Sequence, residues 1–295
     1  MKPPSGLVLL DKPEGITSFQ ALGPLKAALG LRQVGHLGTL DRFAAGLLPV
    51  LVGSSTRLAF LFEDADKAYR AVFLFGRSTD TLDPEGRVVA EAAVPSRESV
   101  ERALEGFRGQ IQQIPPEYSA VHVAGERAYR LARSGRKPEL GPRLVTIHRI
   151  AVLRYDPPEL ELAIDCSKGT YVRALARDLG RQAGSCAYVS RLTRLRVGAF
   201  RLEEAVAPRD FRASSHLIPP ALFLPRLGGI GLLTLDPRRR DEVLNGRPLC
   251  DEWCLPPARE DGQYAVLGAD GRLLAVVRRR AGRHEYQAVF PEAAG

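Results

Sequence analysis

The chain has 295 residues, 45% of them hydrophobic, which suits one large domain or a medium domain with a small companion and excludes a disordered chain. Lys and Arg number 42 against 34 acids, a net charge of +8. No apolar run approaches the ~20 residues of a membrane span, the first residues lack the pattern of a signal peptide, and four cysteines are too few for a disulfide scaffold, so a cytoplasmic location is expected.

Only six of the cations are Lys and 36 are Arg. Arg offers a planar fork that suits phosphates and stacks on bases, though a genome that writes Arg for Lys gives the same composition. Residues 7–10, LVLL, predict a short buried strand ending in the turn DKPEG. TSFQALGPLKAALG predicts a helix. Thr17 or Ser18 caps it, Phe19, Leu22, Leu25 and Leu29 recur at helical spacing, Pro24 kinks it or delays its start, and Gly30 ends it. The turn GHLGTLDRFAAG then runs into LLPVLVG, which reads as buried. KAYRAVFLFGRSTDTLDPEGRVV reads as two strands joined by a polar loop into a hairpin. PSRESVERALEGFRG predicts a capped amphipathic helix burying Val100, Ala103, Leu104 and Phe107.

After a Pro-Pro break another helix-like stretch follows in QIPPEYSAVHVAGERAYRLARSG, and VTIHRIAVLRYDPPELELAIDCSKGTYV holds two strands around a second Pro-Pro turn. GTYVRALARDLGRQAG predicts a helix with Val172, Leu175, Leu179 and Ala183 on its apolar face. Arg173, Arg177 and Arg181 fall at i, i+4 and i+8 and line one stripe. Residues 173 to 201 hold seven Arg against one Asp, the strongest basic cluster in the chain. Pro and Gly breaks at 226–231 mark a boundary, and the short β-like runs beyond it predict a small β domain with a basic edge of Arg278, Arg279, Arg280 and Arg283.

Asp41 in GHLGTLDRFAAG admits four readings: turn former, phosphate cradle, metal ligand or reacting group. The segment lacks the G-K-[ST] ending of a phosphate loop and the spacing of G-x-G-x-x-G. His36 and Asp41, five apart in a Gly-rich turn, make a poor metal signature, and Cys250 and Cys254 form one pair without a second. No G-x-S-x-G occurs. A turn former or a reacting group remains, and the residues alone favour the turn former.

Four segments read together change that. LDKPEGITS, GHLGTLDRFAAGLLPVLVG, KAYRAVFLFGRSTDTLDPEG and CSKGTYVRALARDLG occur in this order, and the series resembles the bacterial tRNA pseudouridine synthases of the TruB type, over about residues 6–200. The resemblance implies an α+β catalytic domain (1–228) built on a central mixed or antiparallel sheet flanked by helices. A small PUA-like RNA-binding domain (229–295) follows, resting on the weaker match VLNGRPL. It implies isomerisation of the T-loop uridine at tRNA position 55: the N1–C1′ bond breaks, the base turns, and C5 joins C1′. It implies no cofactor or metal, tRNA as partner, and a monomer without an obligate protein partner.

By the same resemblance Asp41 is the essential aspartate and Arg173 its ion-pairing partner. His36 fills the place of the flipped base, Tyr69 packs on the target uracil, and Tyr171 and Leu192 shape its pocket. Lys12 and Asp83 stand behind these, and Arg177 and Arg181 are candidate RNA contacts. The chain departs from the family pattern at Arg42, where Pro is common, and at Leu37, where a small residue such as Thr is usual.

Overall fold

A computed structural model describes residues 4–123 and 125–291. Chain order gives β1 (Gly6–Lys12), α1 (Ser18–Ala21), α2 (Gly23–Leu29), β2 (Val34–His36), β3 (Ala45–Val52), β4 (Lys67–Phe75), β5 (Arg77–Thr79), β6 (Val88–Glu91), α3 (Arg97–Glu105) and β7 (Gly109–Gln113). It continues with β8 (His122–Val123), β9 (Glu126–Arg127), α4 (Ala128–Arg133), β10 (Arg143–Asp156), β11 (Glu159–Cys166), α5 (Val172–Gln182), β12 (Ala187–Val197) and β13 (Phe200–Arg201). The fold is α+β. A nine-stranded sheet runs β1-β3-β12-β4-β11-β10-β7, with β2 added to β3 and β13 to β12. The β3–β12 pair is parallel and its neighbours are antiparallel, so the sheet is mixed.

The unbroken apolar runs of β1 and β3 follow from burial on both faces. Leu7, Leu9, Leu47 and Leu51 face one core, and Val8, Leu10, Leu48, Val50 and Val52 face another, where Ala21, Leu22 and Leu25 cover them. One edge of β3 is shared. β12 pairs only with Ala45 and Gly46, and β2 pairs only with Val50 to Val52. Pro49 lies in the gap between them. Its carbonyl accepts from Leu37 N at 2.8 Å on that side, so a strand proline costs no ladder bond here. The loop carrying Asp41 leaves the sheet through this gap.

The predicted N-terminal helix is two short ones. Thr17 caps α1 with a capping box, Pro24 opens α2, and Gly30 closes it in the left-handed conformation. Ser18 does not cap. Its hydroxyl ties both the amide and the carbonyl of Leu40, at 2.9 and 3.0 Å, and so pins the Asp41 loop. The expected cap of α3 is Ser96, whose side chain accepts from Ser99 N. The hairpin expected over residues 67–89 is not formed. β4 pairs with β11 and β12, while β5 and β6 make a small ribbon of their own around the polar turn. The sequence pattern fixes strand character locally, whereas choice of partner depends on the whole sheet.

α5 lies on the sheet through Val172, Leu175, Ala176 and Leu179. It approaches β12 closely at Gly180, where an added Cβ would meet Ala187 N at 2.6 Å.

A second sheet begins at Ile230. Its strands are β14 (Ile230–Leu235), β15 (Cys254–Leu255), β16 (Gly262–Leu267), β17 (Leu273–Arg280) and β18 (Arg283–Val289), in the order β15-β14-β16-β17-β18. One face encloses its own core of Leu233, Val266, Leu274 and Val277. The other, through Ala265, Leu267, Leu273 and Val276, packs into the core that holds Leu7, Leu51, Phe200 and Phe223. Of its predicted basic edge, Arg279 is ion-paired to Asp251 and Asp261, and Arg278, Arg280 and Arg283 are exposed. Among the described residues no helix is long and apolar enough to cross a membrane.

Gly180→Ala should force α5 away from β12. Destabilisation of ~1–3 kcal/mol is expected, read as a lower urea midpoint. An unchanged midpoint would contradict the close packing.

Candidate active site

The site is built around Arg173. Tyr171 is the N-cap of α5, and its backbone is clamped in both directions by the wholly buried Gln113 of β7. The Gln113 amide donates to Tyr171 O at 3.1 Å, and Tyr171 N donates to its oxygen at 2.8 Å. This fixes the start of α5 and sends Arg173 inward, with a side chain only 6% exposed. Arg173 Nε lies 2.8 Å from Asp41 Oδ2 in an ion pair, and Nη2 donates to Asp41 Oδ1 at 3.2 Å, so both carboxylate oxygens face the guanidinium. Nη2 also reaches Tyr118 O at 2.9 Å, and Nη1 reaches Thr81 O at 2.8 Å and Asp83 Oδ2 at 3.2 Å. The two terminal nitrogens thus make four hydrogen bonds, one for each of their N–H groups, and Nε adds the ion-pair contact with Asp41.

Asp83 is fixed in turn by the Thr81 hydroxyl at 2.6 Å and the Glu85 amide at 3.1 Å. Between them Leu82 sits at φ 61°, an uncommon left-handed conformation for a side chain of this size.

Asp41 sits in the loop between β2 and β3. Ser18 holds the residue before it. Gly15 holds the residue after it, Arg42: Gly15 N donates to Arg42 O at 2.9 Å, and Arg42 Nε donates back to Gly15 O at 2.8 Å. The Arg that stands where the family commonly has Pro therefore clips the loop to the turn following Lys12. Its contact with Glu85 is long and exposed, and adds little.

The Asp41 side chain is 38% exposed. Protein encloses the rest, and this burial pushes its carboxyl above the usual 3.8. Arg173 and Lys12 oppose the shift, while the Asp83 charge adds to it. Lys12 is fully buried with its ammonium on the carbonyls of Pro13 and Ile16, at 2.9 and 2.8 Å. Burial pushes Lys12 down to about 8, against the pull of Asp41.

On the neighbouring strands, Tyr69 of β4 stands opposite Arg194 of β12, and Ala71 opposite Leu192. Leu192 is buried in the main core with Leu40 and Ala71, and Tyr69 packs against that core. Arg194 is 2% exposed. Its Nε donates to Leu47 O at 2.8 Å and its Nη2 to Gly38 O at 2.9 Å. Burial raises the Tyr69 phenol above its ordinary value, and the Arg194 charge opposes this. His36, the last residue of β2, has a buried Nδ1 without a hydrogen-bond partner among the described residues. Burial, and then the Arg194 charge, lower its pKa and favour the neutral ring.

The structure thus gathers Asp41, Asp83, Arg173 and Lys12, with Tyr69, Leu192 and His36 around Arg194, and Tyr171 at the mouth of α5 beneath Arg143. The predicted arginine stripe is not one surface. Arg177 is folded onto its neighbour Asp178 at 2.7 Å and onto Ile114 O, and Arg181 is exposed one turn further on. The cluster of seven Arg is largely used internally: besides Arg173, Arg177 and Arg194, Arg191 pairs with Glu159 and Arg196 with Asp165.

Sequence reading missed Arg194, Gln113 and Ser18 as parts of the site. For Arg194 a signal existed, since it lies two residues from Leu192 and shares its face in an alternating strand. Gln113 and Ser18 act through backbone contacts that no local pattern records.

The Asp41 carboxyl, followed by carboxyl-detected NMR, should titrate with a midpoint above 3.8, and Asp83→Asn should move that midpoint down by removing the adjacent charge. A midpoint at or below the ordinary value, or one that rises in the variant, would contradict this electrostatic balance.

Known proteins resemble this chain over most of its length. The family model described as TruB family pseudouridylate synthase (N terminal domain) matches residues 26–172. A protein of Borreliella burgdorferi strain ZS7 named tRNA pseudouridine synthase B is 48% identical over 275 residues, covering 90% of this chain and 96% of that one. One of the same name from Caulobacter sp. strain K31 is 47% identical over 292 residues, covering 94% and 93%. A solved Cbf5–Nop10–Gar1 complex matches with a TM-score of 0.71 at 22% identity, over 98% of this chain and 86% of that one, and supports the fold. On these grounds the chain belongs to the TruB family of pseudouridylate synthases.

Proposed function

We propose that this protein isomerises the T-loop uridine at tRNA position 55 to pseudouridine. The N1–C1′ bond breaks, the base turns, and C5 joins C1′. The observation that carries the reading is the Asp41 carboxylate, set against Arg173 through both oxygens while 38% of its side chain stays exposed. Whichever atom Asp41 engages, the chemistry needs an ionised carboxylate pressed against the nucleotide, and Arg173 favours that charge. The relatives named tRNA pseudouridine synthase B, matched over about nine-tenths of the chain, support tRNA as the substrate.

A T-loop uridine is stacked within folded RNA and must be extruded, at a cost of a few kcal/mol. His36 is the group for the vacated place: a neutral planar ring stacks well there. Tyr69 packs on the extruded uracil, and Leu192 and Tyr171 bound its pocket. Lys12 and Asp83 hold Asp41 and Arg173 in register. Arg181, exposed at the end of α5, suits a backbone phosphate better than Arg177, whose guanidinium is taken by Asp178. Residues 1–228 act as the catalytic unit and 229–295 as a PUA-like RNA-binding unit with Arg278, Arg280 and Arg283 at its edge. The chain works as a monomer in the cytoplasm, where its four free thiols stay reduced.

The purified protein should convert that single uridine in an unmodified tRNA transcript, mapped by chemical marking of pseudouridine. Asp41→Asn should lower the rate by more than ~1,000-fold while tRNA binding stays within about threefold. Binding without product by the unaltered protein would replace this reading with that of a non-catalytic RNA-binding protein, and a substituted enzyme that still turns over would remove Asp41 from the chemistry.

A further inference from the structure

Lys67 opens β4, two residues before Tyr69, and lies on the same face of the sheet. Across the ladder Lys67 stands opposite Cys166 and Tyr69 opposite Ile164, and both of those partners are buried in the core that α5 covers. Lys67 is half-buried there. Its ammonium donates to Ala65 O, and no carboxylate among the described residues pairs with it. Acids stand close by, but each is committed elsewhere. Asp64 is bound to Lys168, and Asp66 lies 3.2 Å from His148 Nε2. Asp165 stands opposite Ala68, hence on the other face of the sheet, and pairs with Arg196.

A cation drawn partly out of water without a counter-charge is held at a cost. Burial, and then the Arg194 charge, push the Lys67 ammonium down accordingly. A Met of similar length would fill the same space without that cost, so the charge calls for an anion that the chain itself does not supply. An ammonium carries three N–H donors and Ala65 O takes one, which leaves two for such a group.

Two residues along a strand span ~6.6 Å, about the reach from a nucleobase to its own phosphate. The phosphate is the anion that RNA brings to any site. We infer that Lys67 is a further substrate-binding residue: its ammonium takes a phosphate flanking the extruded uridine while Tyr69 packs on the base. This rests on the reading that Tyr69 faces the target uracil. Phosphate contacts fix the position of a nucleic acid without reading its sequence, so Lys67 sets how the nucleotide is seated rather than which base is admitted.

The test alters the protein and the RNA in one cycle. Two tRNAs assembled by ligation carry a neutral methylphosphonate on the 5′ or the 3′ side of the target uridine, and a third is unmodified. The kcat/KM for pseudouridine formation is measured on all three with the unaltered protein and with Lys67→Met. Lys67→Met should lose ~10–100-fold on the unmodified tRNA. One of the two methylphosphonates should cost the unaltered protein a similar factor, and on that tRNA the substitution should cost less than about threefold. Equal losses on all three tRNAs, or a loss below about threefold on the unmodified one, would overturn the assignment. If Lys67→Met fails to fold, Lys67→Gln takes its place in the same cycle. Absence of product from the unaltered protein on the unmodified tRNA would overturn the proposed function and the inference together. Product without coupling between Lys67 and either phosphate would overturn the inference alone.

Discussion

A single guanidinium lies between two carboxylates, with its remaining N–H groups on backbone carbonyls of Thr81 and Tyr118. Its consequence is rigidity. Asp83 and the two carbonyls hold Arg173 from one side, so it cannot swing to follow Asp41, and Asp41 rests against a fixed surface. Removing one partner of such a buried contact typically costs ~3–5 kcal/mol, because a charge is left uncompensated. Two acids share one cation, which is why burial and Asp83 together push the Asp41 carboxyl upward despite the contact with Arg173.

Three segments distant in sequence supply the three charges, and the sheet brings them together. Asp41 emerges where the shared edge of β3 passes from β12 to β2, a gap marked by Pro49. Asp83 sits in the turn of the β5–β6 ribbon, and Arg173 in the first turn of α5, set by the Gln113 clamp. Ser18 and Arg42 tie the loop on either side of Asp41 to the segment that carries Lys12. The departure at Arg42 exchanges the stiffness of a proline for one side-chain hydrogen bond to Gly15 O, since the bond from Gly15 N uses a carbonyl that proline also has.

Much of the fold was legible because period and capping are local. The alternating or continuous apolar runs mark β1, β3 and β11, and Ser96 and Gly30 mark helix ends. Strand partners were not legible. KAYRAVFLF and the ribbon after it read as one hairpin because nothing in either segment records that β4 is claimed by β11 and β12. The site divides in the same way. Asp41 alone reads as a turn former, and only the resemblance joined it to Arg173. Counting arginines predicted a basic face, whereas most of that cluster is spent on Asp41, Asp178, Glu159, Asp165 and backbone carbonyls. Arg194 shows the limit most sharply: charge says surface, strand alternation beside Leu192 says interior, and the interior prevails.

The dependence of the site on the shape of the Arg173 fork, rather than on its charge alone, is tested most directly by Arg173→Lys. Lys keeps the positive charge but cannot hold both oxygens of Asp41 together with Asp83 and two carbonyls. Single-turnover conversion of the tRNA uridine should fall by ~100-fold or more, with tRNA affinity within about threefold. A rate within about threefold of the unaltered enzyme would mean that a positive charge suffices, and would contradict the account.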